Sequence, residues 1–268
     1  MHSQQTAHVC PNDHDIHVPG GKLFAREWIP DAVSADASLV LIHDSLGSVE
    51  LWRDFPAALA IGTHRRVIAY DRLGFGRSDA RTDRLTARFV SEEAEIYLPC
   101  LLRHFGIDRF VPFGHSVGGG MAVHCGTALA SSCEAIILES AQMFAEDRTL
   151  QGIAAAKVDF RDPANFERLR RYHGDNARWV LEAWTETWLS PAFASWTLEP
   201  ELPKVTCPIL AIHGDQDEYG SLRHTELIRK LAGGSATTKV MDGFGHIPHR
   251  EAPEAIVAVV AAFLRQVR

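Results

Sequence analysis

The most informative segment of this chain is Gly114-His115-Ser116-Val117-Gly118, because a short apolar run precedes it and a run of small residues follows it. Residues 110–113 predict a buried strand, and residues 117–129 predict a helix. A serine at such a strand-to-helix turn takes a strained backbone conformation that exposes its hydroxyl at the end of a sheet. We therefore expect Ser116 to be a nucleophile, with glycines on either side that let neighbouring backbone pass close to the turn.

Short apolar strands and amphipathic helices alternate on both sides of this turn. Near-continuously apolar strands that alternate with helices are typical of a mostly parallel sheet covered by helices on both faces. The predicted fold is therefore α/β, and residues 1–140 and 204–268 are assigned to its core. Pro99 is expected to kink or break the longest helix. The predicted strands are 23–28, 38–43, 66–70, 110–113, 135–138, 209–213 and 239–241, and the predicted helices are 51–60, 87–105, 117–129 and 253–267.

Residues 141–203 interrupt the alternation. They are helical by pattern and contain four of the six tryptophans. A structureless loop of this length is uncommon inside a compact domain, so this segment is predicted to be an inserted helical cap. Trp184 and Trp188 lie four residues apart on one helical face, which favours an apolar wall of a substrate pocket over the turn. Ordinary helix packing is the other interpretation of these tryptophans.

A serine hydroxyl becomes an effective nucleophile when an imidazole takes its proton and a carboxylate orients that imidazole. Among the 14 histidines, His246 follows the last predicted strand in a glycine-rich loop and is the predicted base. Asp217, three residues beyond the glycine that ends the strand 209–213, is the predicted acid. Glu139 is the rival acid, and Asp215 is expected to bond its own backbone in a turn.

The chain resembles the α/β-hydrolase superfamily over nearly its whole length. The resemblance lies in the strand 39–43 with Gly47 and Trp52, in the D-x-x-G-x-G-x-S stretch 71–78, and in the G-x-x-D stretch 214–217. It implies that the backbone N–H groups of Ser45 and Val117 form an oxyanion hole. The superfamily usually has glycine after the first histidine of this loop, whereas this chain has Asp44.

The resemblance and the three side chains together predict a serine hydrolase that cleaves a small or medium carboxylic ester through an acyl-enzyme. Lactone, amide and diketone carbon–carbon bonds are alternative substrates. Ile247 disfavours the diketone, because those relatives often carry Trp after the histidine. Ser116 disfavours the superfamily branches that have aspartate at the turn. A hydrolase-fold receptor that binds a ligand without turnover is the alternative of another class.

The amino-acid composition limits the classes of molecule that this protein is expected to bind. The formal net charge is −7 and no run of Lys or Arg reaches four residues, which disfavours nucleic acid and anionic membranes as partners. The five scattered cysteines, without an apolar leader or membrane-length run, favour a soluble cytoplasmic protein that acts on a small molecule. No cofactor is implied. No metal is expected either, because the histidine and cysteine positions near the N-terminus lack metal-ligand spacing; they are His8, Cys10, His14 and His17.

Overall fold

The computed structural model describes residues 9–33 and 37–267, and the strands of this part form one sheet in the order β1-β2-β4-β3-β5-β6-β7-β8. The first two strands pair antiparallel, as do β2 and β4, and all other neighbours are parallel. The predicted α/β architecture with a mostly parallel sheet is confirmed. The strands are β1 Pro11–Val18, β2 Gly21–Trp28, β3 Ser38–Ile42, β4 Val67–Tyr70, β5 Phe110–His115, β6 Ile136–Glu139, β7 Ile209–Gly214 and β8 Ala236–Met241.

Helices cover both faces of the sheet because its strands are apolar on both sides. Along β3, Leu39 and Leu41 belong to one buried cluster, and Val40 and Ile42 belong to the other. The helices of the described residues are α1 Phe55–Thr63, α2 Phe89–Glu92, α3 Leu98–Phe105, α4 Val117–Ala128, α5 Asp147–Asp159, α6 Pro163–His173, α7 Ala177–Trp188, α8 Arg223–Leu231, α9 Pro248–Glu251 and α10 Pro253–Leu264. Helices α1 and α10 lie on the Leu39 face, and α2, α3, α4 and α8 lie on the other.

The long helix predicted over residues 87–105 is divided. It begins as α2, widens into a π-helical segment at Glu93–Tyr97 and continues as α3, with Pro99 in the first turn of α3. Proline has no N–H to donate and its ring collides with the preceding turn, so the chain there is forced out of regular α geometry. The expected break is therefore present. Helix α8 was not predicted from the sequence.

Helices α5, α6 and α7 fill the interval between β6 and β7, where an inserted cap is predicted. The two ends of this interval are paired, since Leu198 N donates to Met143 O at 2.7 Å and Ala145 N donates to Trp196 O at 3.0 Å. A small buried cluster that includes Leu169, Val180 and Leu181 joins α6 and α7 to Phe75. Within the described residues, no helix is long and apolar enough to span a membrane.

Candidate active site

Ser116 stands at the sharp turn between β5 and α4. Its backbone has φ 57° and ψ −123°, a left-handed conformation that a residue with a side chain adopts only when its surroundings impose it. The turn is closely packed, because a Cβ on Gly118 would lie 2.2 Å from the carbonyl oxygen of Ile42. The turn is also held by Ser116 N, which donates to Glu139 O at 2.9 Å. The strained serine predicted from the sequence is therefore present.

The hydroxyl of Ser116 is hydrogen-bonded to a side chain that was not predicted from the sequence to belong to the site. Ser116 Oγ donates to Gln142 Oε1 at 3.2 Å, and Gln142 is 2 % exposed. Gln142 follows β6, in a connection that carries no recognisable motif. Parallel strands place their carboxyl ends at one edge of the sheet, which is why the residues after β5 and β6 meet there.

His246 and Asp217 are brought together by the loops after β8 and β7. The Nδ1 atom of His246 lies 2.9 Å from each carboxylate oxygen of Asp217. Asp217 also accepts the backbone N–H of Tyr219 at 2.8 Å, and its other oxygen lies 3.2 Å from His213 Nε2. These contacts fix the carboxylate, so the imidazole that it holds has a defined orientation.

The electrostatics of this pair favour the charged forms. Burial opposes ionisation of Asp217, but hydrogen bonds from His213 and His246 outweigh it and hold the pKa of Asp217 below its ordinary value. Burial likewise lowers the pKa of His246, whereas the hydrogen bond and charge of Asp217 raise it more, so that it lies above 6.5. An imidazolium at position 246 is therefore stabilised by the carboxylate beside it.

The other two carboxylates considered from the sequence hold the histidine loop from outside. Asp215 was expected to bond its own backbone, and this prediction is wrong: among the described residues its side chain accepts Gly243 N at 2.6 Å, because that loop folds over the end of β7. Among the described residues Glu139 is hydrogen-bonded not to His246 but to His249: it accepts His249 N at 2.9 Å and lies 2.5 Å from His249 Nδ1. His115, beside the serine, donates from Nε2 to His246 O at 2.9 Å.

One buried cluster has a composition that can hold a metal ion. His115, Glu139 and His249 place one ligand atom each within 4.8 Å of one another. Both oxygens of Glu139 are already paired with His249, which gives the cluster an anchoring function without an ion. Of the N-terminal positions considered for a metal, His8 lies outside the described residues and His14 lies 3.3 Å from Glu27.

In the loop after β3, the peptide that joins Asp44 to Ser45 is held in a fixed orientation. The carbonyl of Asp44 accepts His43 Nδ1 at 2.8 Å and Arg72 Nη2 at 2.9 Å. In a trans peptide the following N–H points the opposite way, so the Ser45 N–H is directed away from His43 and Arg72. Val117 is the first residue of α4, and its N–H therefore has no acceptor within the helix.

A cavity of about 250 Å³ brings the predicted residues to one place. Ser45, Ser116 and His246 line it, and so do both tryptophans expected in the pocket, Trp184 and Trp188. Tyr219 also lines the cavity, with its ring centroid 5.0 Å from that of His246. Tyr219 lies in no motif and was not predicted as a site residue. The remaining lining residues are Asp44, Leu46, Gln142, Thr149, Ile153, Glu218 and Ile247.

The chain belongs to the alpha/beta hydrolase family, whose model matches residues 39–259. It is 25 % identical to human (Homo sapiens) monoglyceride lipase, over 92 % of this chain and 86 % of that protein.

Solved structures agree on the fold. The crystal structure of a bacterial membrane phospholipase A superposes with a TM-score of 0.75 at 21 % identity, and the alignment covers 96 % of this chain and 87 % of that one. A serine hydrolase involved in carbazole degradation superposes with a TM-score of 0.74 at 19 % identity, over 96 % of this chain and 100 % of that one. At these identities the likeness establishes the α/β-hydrolase fold.

Proposed function

We propose that this protein is a serine hydrolase that cleaves a small or medium carboxylic ester through an acyl-enzyme. The observation that carries the proposal is the bond of His246 Nδ1 to Asp217, with His246 and Ser116 lining one cavity. Because Nδ1 is engaged, Nε2 is the ring nitrogen left to accept a proton. The human relative is by name a monoglyceride lipase, and a monoglyceride is a carboxylic ester, in line with this proposal.

In the first half of the proposed reaction, the Ser116 hydroxyl turns from Gln142 towards His246. His246 Nε2 takes the hydroxyl proton while Oγ attacks the ester carbonyl, and Asp217 stabilises the imidazolium. The tetrahedral intermediate then expels the alcohol, which receives that proton from His246. In the second half, His246 deprotonates a water molecule that attacks the acyl-enzyme, releasing the carboxylic acid and restoring Ser116.

The N–H groups of Ser45 and Val117 are the proposed oxyanion donors. The orientation of the Asp44 peptide supports Ser45, and the start of α4 supports Val117, where the helix dipole adds positive potential. Each such donor typically contributes about 2.7–4 kcal/mol to transition-state stabilisation. Because both are backbone groups, side-chain substitution cannot remove them, and the decisive test lies with the nucleophile.

The test compares Ser116→Ala with Ser190→Ala on para-nitrophenyl acetate and butanoate. Ser190 lies outside the cavity, and its hydroxyl bonds only to Thr187 O at 2.7 Å among the described residues. We expect Ser116→Ala to lose at least about 1,000-fold in kcat and to escape labelling by a fluorophosphonate. Ser190→Ala should retain both its turnover of these esters and its labelling by the fluorophosphonate. Unchanged turnover in Ser116→Ala, with an unaltered circular dichroism spectrum, would overturn the proposal.

A further inference from the structure

Asp44 places a carboxylate on the wall of the candidate active site, at the position where the α/β-hydrolase family usually has glycine. Asp44 lines the 250 Å³ cavity and also a neighbouring cavity of about 140 Å³. None of the hydrogen bonds or ion pairs of the described residues reaches this carboxylate. Burial opposes its ionisation, but His115, His43 and Arg250 hold the pKa of Asp44 below its ordinary value. The carboxylate is therefore ionised and accepts no hydrogen bond among the described residues.

Glu218 provides a second carboxylate to the same cavity. It follows Asp217 on the loop after β7 and is exposed at the cavity wall beside Tyr219. Both Asp44 and Glu218 act on His246 by charge alone, each raising the pKa of its imidazole. Among the described residues that line this cavity there is no Lys or Arg. The fixed charges on this wall are therefore two carboxylates, and Arg250 lines only the neighbouring cavity.

Aromatic rings complete the wall. Trp184, Trp188 and Tyr219 line the cavity, and the rings of Trp184 and Tyr219 meet edge to face with centroids 6.0 Å apart. The faces of such rings attract a cation, and Trp does so most strongly. Carboxylates together with aromatic faces form a surface suited to a quaternary or protonated ammonium group. An anionic substrate would be repelled by the same wall.

A positive charge on the substrate would stabilise the transition state of the proposed reaction. A negative charge develops on the carbonyl oxygen beside Ser45, the residue that follows Asp44, and a nearby carboxylate disfavours it. A cation on the substrate offsets that repulsion. We propose that the site takes esters that carry an ammonium group, and that Asp44 and Glu218 bind this group. The inference rests on the proposed function, because it names the substrate class of the same site.

The test uses two pairs of isosteric esters. In one pair the acyl group is γ-trimethylammonio-butanoyl or its carbon isostere, in which tert-butyl replaces trimethylammonio. In the other pair the alcohol is choline or its tert-butyl isostere. We expect about a tenfold higher kcat/KM for the cationic ester in at least one pair, the equivalent of one partly solvated charge pair. Asp44→Asn and Glu218→Gln should each lower the ratio of cationic to neutral kcat/KM.

The control variant is Glu182→Gln, which removes an exposed carboxylate on α7 outside the cavity and should leave the ratio unchanged. The inference fails if the neutral ester is preferred in both pairs, or if neither variant at 44 or 218 lowers the ratio. That result leaves the proposed function intact, because Ser116-dependent turnover of neutral esters would persist.

A binding measurement covers the case in which no ester is turned over. Calorimetric titration of Ser116→Ala with tetramethylammonium should show saturable binding that Asp44→Asn weakens. Absence of binding would overturn the inference, whether or not turnover is found. Failure of the proposed function alone would leave this binding in place, without fluorophosphonate labelling of Ser116.

Discussion

Ser116 Oγ donates its hydrogen bond to Gln142 Oε1 at 3.2 Å and not to His246, although both His246 and Gln142 line the cavity in front of it. The resting nucleophile is thus bonded to an amide oxygen that cannot take its proton. Catalytic hydrogen bonds are often formed only in the complex with substrate, so this arrangement is compatible with the proposed reaction. It does make the bond to Gln142 an interaction that acylation has to break.

Replacement of Gln142 by Met keeps the length of the side chain and removes the acceptor. A neutral hydrogen bond of this kind contributes about 0.5–1.5 kcal/mol, so we expect acylation to accelerate by about two- to tenfold. The measurement is the second-order rate constant of fluorophosphonate labelling, which reports Ser116 without product release. Gln142→Glu, which keeps an acceptor, is the matched comparison and should not accelerate. A slower Met variant would mean that Gln142 assists the reaction.

The pH dependence of turnover follows from the pKa of His246. The proposed base must be neutral, and Asp217 outweighs the effect of burial and holds this pKa above 6.5. We therefore expect kcat/KM for a neutral ester to fall as the pH decreases, with its midpoint above pH 6.5. Asp217→Asn should lower kcat by about 10⁴-fold, since the imidazole loses its orientation and tautomer. A wild-type midpoint below pH 6 would contradict the assignment of His246.

The fold was predictable because its signals are local. Apolar strands such as 38–43, the turn at Ser116 and the glycine-rich loop before His246 each identify themselves within a few residues, and parallel topology then brings their ends together. Residues 87–105 were predicted as one helix but form two helices and a π segment, because periodicity does not reveal how a chain accommodates Pro99. Helix α8 was missed, although its pattern is amphipathic.

The site was predictable only in part, for a different reason. Ser116, Asp217 and His246 lie in motifs, whereas Gln142 and Tyr219 enter the cavity through tertiary contacts that no motif marks. Which side chain pairs with Glu139 is likewise decided by the tertiary structure. Sequence left Glu139 as a rival acid for His246, and the structure pairs it with His249, which is 110 residues away along the chain.

The pair of Glu139 and His249 is expected to stabilise the fold. Burial alone raises the pKa of Glu139, but the charge and hydrogen bonds of His249 hold it below 4.5. The carboxylate form therefore contributes stability above pH 4.5 that is lost as the pH falls through the lower folded value. Glu139→Gln should lower the free energy of unfolding in urea at pH 7 by about 1–3 kcal/mol, the scale expected when hydrogen bonds to a buried charged group are disrupted.

Glu199→Gln is the control for this prediction, because Glu199 is exposed and its carboxylate takes part in no hydrogen bond among the described residues. That variant should unfold like the wild type. In Glu139→Gln the loss of stability as the pH falls below 4.5 should also become smaller. Equal stability of Glu139→Gln and wild type at pH 7 would show that the buried pair contributes nothing net.

The two tryptophans of α7 should separate substrate preference from stability. Both line the cavity, but Trp184 is half-buried, whereas Trp188 is 2 % exposed and packs on Phe193 with centroids 4.8 Å apart. Trp184→Ala should lengthen the cavity and raise kcat/KM for hexanoyl relative to acetyl esters by about tenfold, since each newly buried methylene contributes about 0.8 kcal/mol. Trp188→Ala should lower the free energy of unfolding by about 3–5 kcal/mol.

Trp179→Ala is the control, because Trp179 lies on the same helix but outside the cavity and donates to Asp83 O at 3.0 Å. Its loss should leave the ratio of hexanoyl to acetyl turnover at the wild-type value. An unchanged ratio in Trp184→Ala as well would mean that the acyl chain does not lie against α7. In that case the acyl chain would have to lie against other apolar residues of the cavity, such as Leu46 and Ile247.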